Sequence, residues 1–83
     1  MSSPQRLVAL PDTRLEGVVA TRTPKNGVLH FELEVEGKRY HCVDATGNMG
    51  AFAVLAGQRV ACDGRWSPAV LHLFEVMHID KLI

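Results

Sequence analysis

The clearest hydrophobic pattern in the chain is a strict alternation over residues 28–36. Apolar residues occupy every second position, and polar or charged residues lie between them. Because successive side chains of a β-strand point to opposite faces, this period of two predicts an antiparallel strand with one buried face. The predicted inner face carries Leu29, Phe31, Leu33 and Val35, and the outer face carries His30, Glu32, Glu34 and Glu36.

A tight turn follows this strand. In Glu36-Gly37-Lys38-Arg39, glycine takes the first of two central positions, which favours a type II′ hairpin turn. The returning strand is predicted over residues 39–46, and the turn sets its register. The predicted partners are Glu36 with Arg39, Val35 with Tyr40, Glu34 with His41, and Leu33 with Cys42.

Three further strands are predicted from β-branched and alternating apolar residues. The first covers residues 14–22, where Gly17 suggests a bulge or bend, and a turn at residues 23–27 follows it. The fourth covers residues 58–66, and the fifth covers residues 69–79, with a bulge near Phe74 and Glu75. The predicted inward residues of these last two strands are Val60, Cys62, Leu71 and Leu73.

Between the third and fourth strands the composition changes. Residues 47–57 are rich in Ala, Met and Leu, which favour helix. Asn48 is a suitable N-cap and Gly57 a suitable end, and Phe52 and Leu55 share one side of a helix. We therefore predict a helix of about two turns that covers one end of the sheet.

Length and charge limit the protein further. Eighty-three residues fit one domain, with a flexible segment at residues 1–13 and a folded domain at residues 14–83. Nine basic and nine acidic residues give no net charge, which argues against strong non-specific binding of nucleic acid. No stretch has the length of a membrane span or the pattern of a signal peptide, so a cytoplasmic location is expected.

Three strands, a short helix and two more strands are the order expected of a small five-stranded barrel of the oligonucleotide/oligosaccharide-binding (OB) fold. The chain resembles the single-stranded DNA-binding protein and PriB-type primosomal protein group of OB-folds. The resemblance spans residues 14–79. It is carried by residues 15–19, 23–28, 31–33, 57–60 and 71–79, together with Gly64.

This resemblance implies a module without enzymatic activity that binds single-stranded nucleic acid through the strand 1–2 and strand 4–5 loops. Trp66 would stack a base, and arginine and lysine side chains would contact phosphates. Several basic or aromatic outer residues typical of the group are replaced here by glutamates. The expected nucleic-acid-binding residues are Arg22, Lys25, Arg39, Arg65 and Trp66.

Protein interaction is the alternative, in the form of an assembly module of the same fold or a homodimer built on strand edges. The neutral charge and the acidic outer face favour it. No cofactor is expected, and no metal site, because the four histidines show no tight ligand spacing. Glu34 opposite His41 would form an acid–base pair, but no Ser or Cys nucleophile is predicted beside it.

Overall fold

Five β-strands close into a barrel, as the alternating sequence predicts. The computed structural model describes residues 12–50 and 53–82. The strands are β1 (Thr13–Arg22), β2 (His30–Val35), β3 (Lys38–Asp44), β4 (Arg59–Trp66) and β5 (Leu73–Lys81).

The strand order around the barrel is β1-β2-β3-β5-β4, and β4 closes back onto β1. All neighbours are antiparallel except β3 and β5, which run parallel. In the part of the chain that the structure describes, every strand therefore has two neighbours. The all-β barrel is confirmed, and most of the predicted flexible segment, residues 1–11, lies outside the described residues.

The β2–β3 turn differs by one residue from the prediction. Glu36 and Gly37 are its central residues, with φ of 50° and 83°, so both occupy the left-handed region. Positive φ at both central positions defines a type I′ turn, whereas the sequence favoured type II′ with glycine first. The predicted register was wrong. The observed partners are Val35 with Lys38, Glu34 with Arg39, Leu33 with Tyr40, Glu32 with His41, and Phe31 with Cys42.

This error leaves the two faces of the sheet unchanged. Moving the turn by one residue moves each cross-strand partner by two, and side chains two apart point to the same face. Most of the predicted inward residues of the second and fourth strands are buried in the barrel core, and Val35 is partly buried against it. Those with almost no exposed surface are Leu29, Phe31, Leu33, Val60 and Cys62.

Two expectations for the last strand were wrong. Leu71 is 82% exposed, because β5 begins only at Leu73 and Leu71 lies in the preceding loop. The bulge is also displaced: Asp63 pairs with His78 but Gly64 pairs with Val76, which places the extra residue at Met77.

The predicted helix after β3 is absent from the described residues 48–50 and 53–57, which form bends and turns. Ala51 and Phe52 lie outside the described residues. Backbone N–H groups farther along the segment bond outside it or to a side chain: Leu55 donates to Gln58 Oε1, and Gly57 donates to the carbonyl of Val19 on β1. Val54, without exposed surface, packs into the core, so the segment contributes to the core as an irregular loop.

Candidate functional site

Several carboxylates on the outer face of the barrel lie close to arginine side chains. Arg39 lies between two carboxylates, with Nη1 3.6 Å from Glu32 Oε1 and Nε 3.8 Å from Glu34 Oε1. Arg65 Nε lies 2.8 Å from Glu75 Oε1. Glu32, Glu34 and Glu75 therefore have neighbouring cations, and two of the arginines expected to bind phosphate are the partners of these carboxylates.

A small cavity opens on this face beside the β1–β2 loop. It measures about 220 Å³, and we call it the histidine pocket. Two imidazole rings form part of its wall: the centroids of His30 and His41 are 5.9 Å apart in an edge-to-face arrangement. Its lining residues are Thr21, Thr23, Lys25, His30, Phe31, Glu32 and His41.

One ring atom of this pocket lacks a hydrogen-bond partner. His30 Nδ1 is buried, and no donor or acceptor in the described structure contacts it. Burial lowers the pKa of His30 from its ordinary value, and the charges of Lys25 and His41 lower it further. His30 is therefore neutral at pH 7, and a buried nitrogen without a partner needs an explanation such as a ligand or a water.

The β1–β2 loop places only one of its two expected cations at this pocket. Lys25 pairs with Val28 around a tight turn, with backbone hydrogen bonds of 2.8 Å in both directions, and its side chain lines the pocket. Arg22 pairs in register with buried Phe31, whereas its neighbour Thr21 pairs with Glu32. Because paired residues point to the same side of the sheet, Arg22 is directed away from the pocket face.

Trp66 lies at the rim of the barrel in an aromatic cluster with Tyr40 and Phe74. Its ring centroid is 5.0 Å from that of Phe74 and 5.5 Å from that of Tyr40, and both contacts are edge-to-face. Phe74 is fully buried, but Trp66 remains 41% exposed. The indole therefore packs onto the barrel and also presents surface to solvent.

The β4–β5 loop that follows Trp66 exposes apolar side chains. Val70 is 53% exposed and Leu71 is 82% exposed. The hydroxyl of Ser67 accepts hydrogen bonds from the backbone N–H groups of Ala69 and Val70, which holds the loop in a turn. This apolar surface was not predicted, because the sequence placed Leu71 inside the barrel.

A second polar cluster lies on the outer face of β1, β4 and β5. Ligand atoms of Asp63, His78 and Asp80 lie within 4.8 Å of one another, which is close enough for a metal ion. Arg14 already occupies the cluster: its Nη1 is 2.8 Å from Asp63 Oδ2, and its Nη2 is 3.2 Å from Asp80 Oδ2. Hydrogen bonds from His78 and Arg14 lower the pKa of Asp80. The guanidinium thus compensates both carboxylates, and the cluster ties three strands together.

The two cysteines are free and lack exposed surface. Burial raises the pKa of the Cys62 thiol to about 12 and raises the pKa of Cys42 as well. Both thiols are therefore protonated at neutral pH, and the thiolate is the form that acts as a nucleophile or binds metal.

Comparison of the chain with protein-family models, with curated proteins and with solved structures found no match to any of them. Among the described residues, no helix is long and apolar enough to cross a membrane.

Proposed function

We propose that the chain is an OB-fold module without enzymatic activity that binds single-stranded nucleic acid. The nucleic-acid strand runs over the outer face of the barrel from the β1–β2 loop to the β4–β5 loop. A closed five-stranded barrel of mixed pairing supports the OB assignment, because OB-folds are five-stranded Greek-key barrels that bind oligonucleotides on this face. The single observation that carries the proposal is the histidine pocket beside the β1–β2 loop.

The groups along this path suit a single strand. Lys25, His30 and His41 offer donors at one end. At the other end Trp66, which pairs with buried Phe74 at the rim of the barrel, offers a partly exposed ring beside the outer face. Single strands bind by phosphate contacts together with base stacking on aromatic rings, worth about 1–3 kcal/mol per base. The path crosses from β2 over β3 and β5 to β4, which at about 4.8 Å per strand spacing is roughly 14 Å.

The paired glutamates keep the binding weak. Arg39 and Arg65 neutralise carboxylates of the face and do not add a net positive field. We therefore expect few released counterions and a shallow salt dependence, because each neutralised phosphate contributes about 0.7 to the slope for single strands.

Fluorescence anisotropy of a labelled oligo(dT) of about 12 nucleotides tests this proposal, since OB barrels cover roughly 4–16 nucleotides. We expect binding at low salt that weakens as salt is added, and a Lys25→Gln variant should reduce the salt slope by about 0.7. Lys38→Gln, which removes an exposed lysine from the start of β3, is the matched control. Absence of binding, or an equal loss in both variants, would contradict the proposal.

A protein partner is the second candidate function, and the exposed loop favours it. Val70, Leu71 and Trp66 together present apolar surface, which commonly marks interaction sites. The loop is a better candidate than a strand edge, because each strand of the described barrel already has two neighbours. Sedimentation of the protein and of Leu71→Ser separates the cases: self-association through this loop should disappear in the variant, whereas a monomer in both argues against a homodimer.

A further inference from the structure

The histidine pocket contains features that a general stacking surface does not require. A buried imidazole nitrogen has no hydrogen-bond partner among the described residues, and a lysine and two threonines line the same cavity. At about 220 Å³ the cavity is smaller than most sites for drug-sized ligands, which occupy about 300–1,000 Å³. It is therefore suited to one small group of a larger ligand.

We propose that the histidine pocket is a phosphate-binding subsite in which His30 takes up a proton when the phosphate binds. This inference rests on the proposed function and assigns a backbone phosphate of the bound nucleic acid to this pocket. Lys25 supplies a permanent positive charge at the pocket. Protonated His30 supplies a charge-assisted hydrogen bond from Nδ1, and such bonds are stronger than neutral ones.

The charged and titratable groups around His30 favour the binding of an anion in the pocket. Burial, and then the charges of Lys25 in the β1–β2 loop and His41 on β3, lower the pKa of His30 and oppose a charge on the imidazole of the unliganded protein. Glu32 on β2 is the only carboxylate among the lining residues. Its Oε1 accepts a 3.2 Å hydrogen bond from the Thr21 hydroxyl and lies 3.6 Å from Arg39, which reduces its repulsion of a phosphate.

The direction of the pH effect follows from linkage. A bound phosphate stabilises the charged imidazole, so the pKa of His30 is higher in the complex than in the free protein. Between these two pKa values, binding is accompanied by uptake of a proton, and the affinity rises as the pH falls. Since the free pKa lies below 6.5, we expect the affinity for oligo(dT) to be about 3–10 times higher at pH 5.5 than at pH 7.5.

The experiment measures the pKa of His30 by NMR of its imidazole with no ligand, with inorganic phosphate and with oligo(dT). It also measures oligo(dT) affinity at pH 5.5 and 7.5 for the protein, for His30→Gln and for the control His78→Gln. We expect the His30 pKa to rise with ligand. His30→Gln should lose about tenfold affinity at pH 5.5 together with the pH dependence, whereas the exposed His78 on β5 should be replaceable without either effect.

Each outcome separates the two proposals. Oligo(dT) binding that is the same at both pH values and in His30→Gln overturns the subsite but leaves single-strand binding intact. No binding of oligo(dT), with a raised His30 pKa in inorganic phosphate, removes the proposed function and identifies free phosphate as the ligand. An unchanged His30 pKa with both ligands overturns the subsite, whatever the protein binds elsewhere.

Discussion

The backbone N–H of Met49 donates a 2.8 Å hydrogen bond to Oδ2 of Asp44, five residues earlier in the chain. The other oxygen of the same carboxylate accepts from the hydroxyl of Thr46 at 2.6 Å and from the backbone N–H groups of Thr46 and Gly47. Asp44 is only 5% exposed, and these donors satisfy its buried charge. The carboxylate therefore organises the segment between β3 and β4, where the sequence predicted a helix.

Asp44→Asn should destabilise the protein by about 1–3 kcal/mol, because the amide nitrogen cannot accept the hydrogen bonds that one carboxylate oxygen accepts. Chemical denaturation at pH 7 measures this loss. Glu36, an exposed carboxylate in the β2–β3 turn, provides a comparison, since Glu36→Gln removes the same charge without a buried network. Equal effects of the two substitutions would show that Asp44 contributes only through net charge.

The same residue makes the stability depend on pH. Burial alone would raise the pKa of Asp44, but the hydrogen bonds from Thr46, Met49 and Gly47 outweigh it and lower the pKa below its ordinary value of 3.8. A lowered pKa in the folded state adds stability above pH 3.8, and that contribution is lost as the pH falls through the folded-state value. The free energy of unfolding, measured by chemical denaturation at several pH values between 2 and 5, should depend less on pH for Asp44→Asn than for the unmodified chain.

Gly17 lies where two strands approach each other closely. A Cβ at this position would lie against the backbone carbonyl of Glu34, well inside van der Waals contact. Because the backbone of β2 cannot move away as a flexible side chain can, Gly17→Ala should lower the free energy of unfolding by about 1–3 kcal/mol. Gly50→Ala is the control: nothing lies within 4 Å of its Cβ position, so its effect should stay within about 0.5 kcal/mol. Thermal or urea unfolding of both variants tests the comparison.

The β2–β3 turn provides a test of the register. Glu36 has a φ of 50°, which is unfavourable for most residues but tolerated by asparagine, and Asn-Gly is a preferred type I′ pair. Glu36→Asn should therefore raise the free energy of unfolding by about 0.5–1 kcal/mol. Lys38→Asn, in the first position of β3, should give no gain. A gain for Lys38→Asn instead would indicate that Gly37 and Lys38 are the central residues.

Much of the barrel was predictable because alternate residues of a strand point to opposite faces of the sheet. The alternation of residues 28–36 fixes which side chains face the core, and an error of one residue in the turn preserves that assignment. The prediction that Leu71 faces the core was wrong because an alternating pattern does not distinguish a strand from an apolar loop that precedes it. The helix prediction was wrong because propensity is local, whereas N–H groups of this segment bond to the Gln58 side chain and to the backbone of Val19 on β1.

The candidate site was less predictable for a related reason. Lys25 and Trp66 were expected from their loops, and the structure places Lys25 at a pocket and leaves Trp66 partly exposed. The pairing of Arg39 with Glu32 and Glu34 depends on the β2–β3 register, which was predicted incorrectly. The pairing of Arg65 with Glu75 depends on the β4–β5 register, which was not predicted. His30 and His41 were on the same predicted face, and this was the available signal for the pocket. The buried nitrogen of His30 could be recognised only in three dimensions.

Titration of the intrinsic fluorescence of Trp66, the only tryptophan in the chain, with oligo(dT) at low salt tests the central claim most directly. Single-strand binding across this face predicts saturable quenching that is reversed as salt is added, because base stacking and phosphate contacts form together. Fluorescence that remains unchanged at low salt, at oligonucleotide concentrations well above micromolar, would contradict the account.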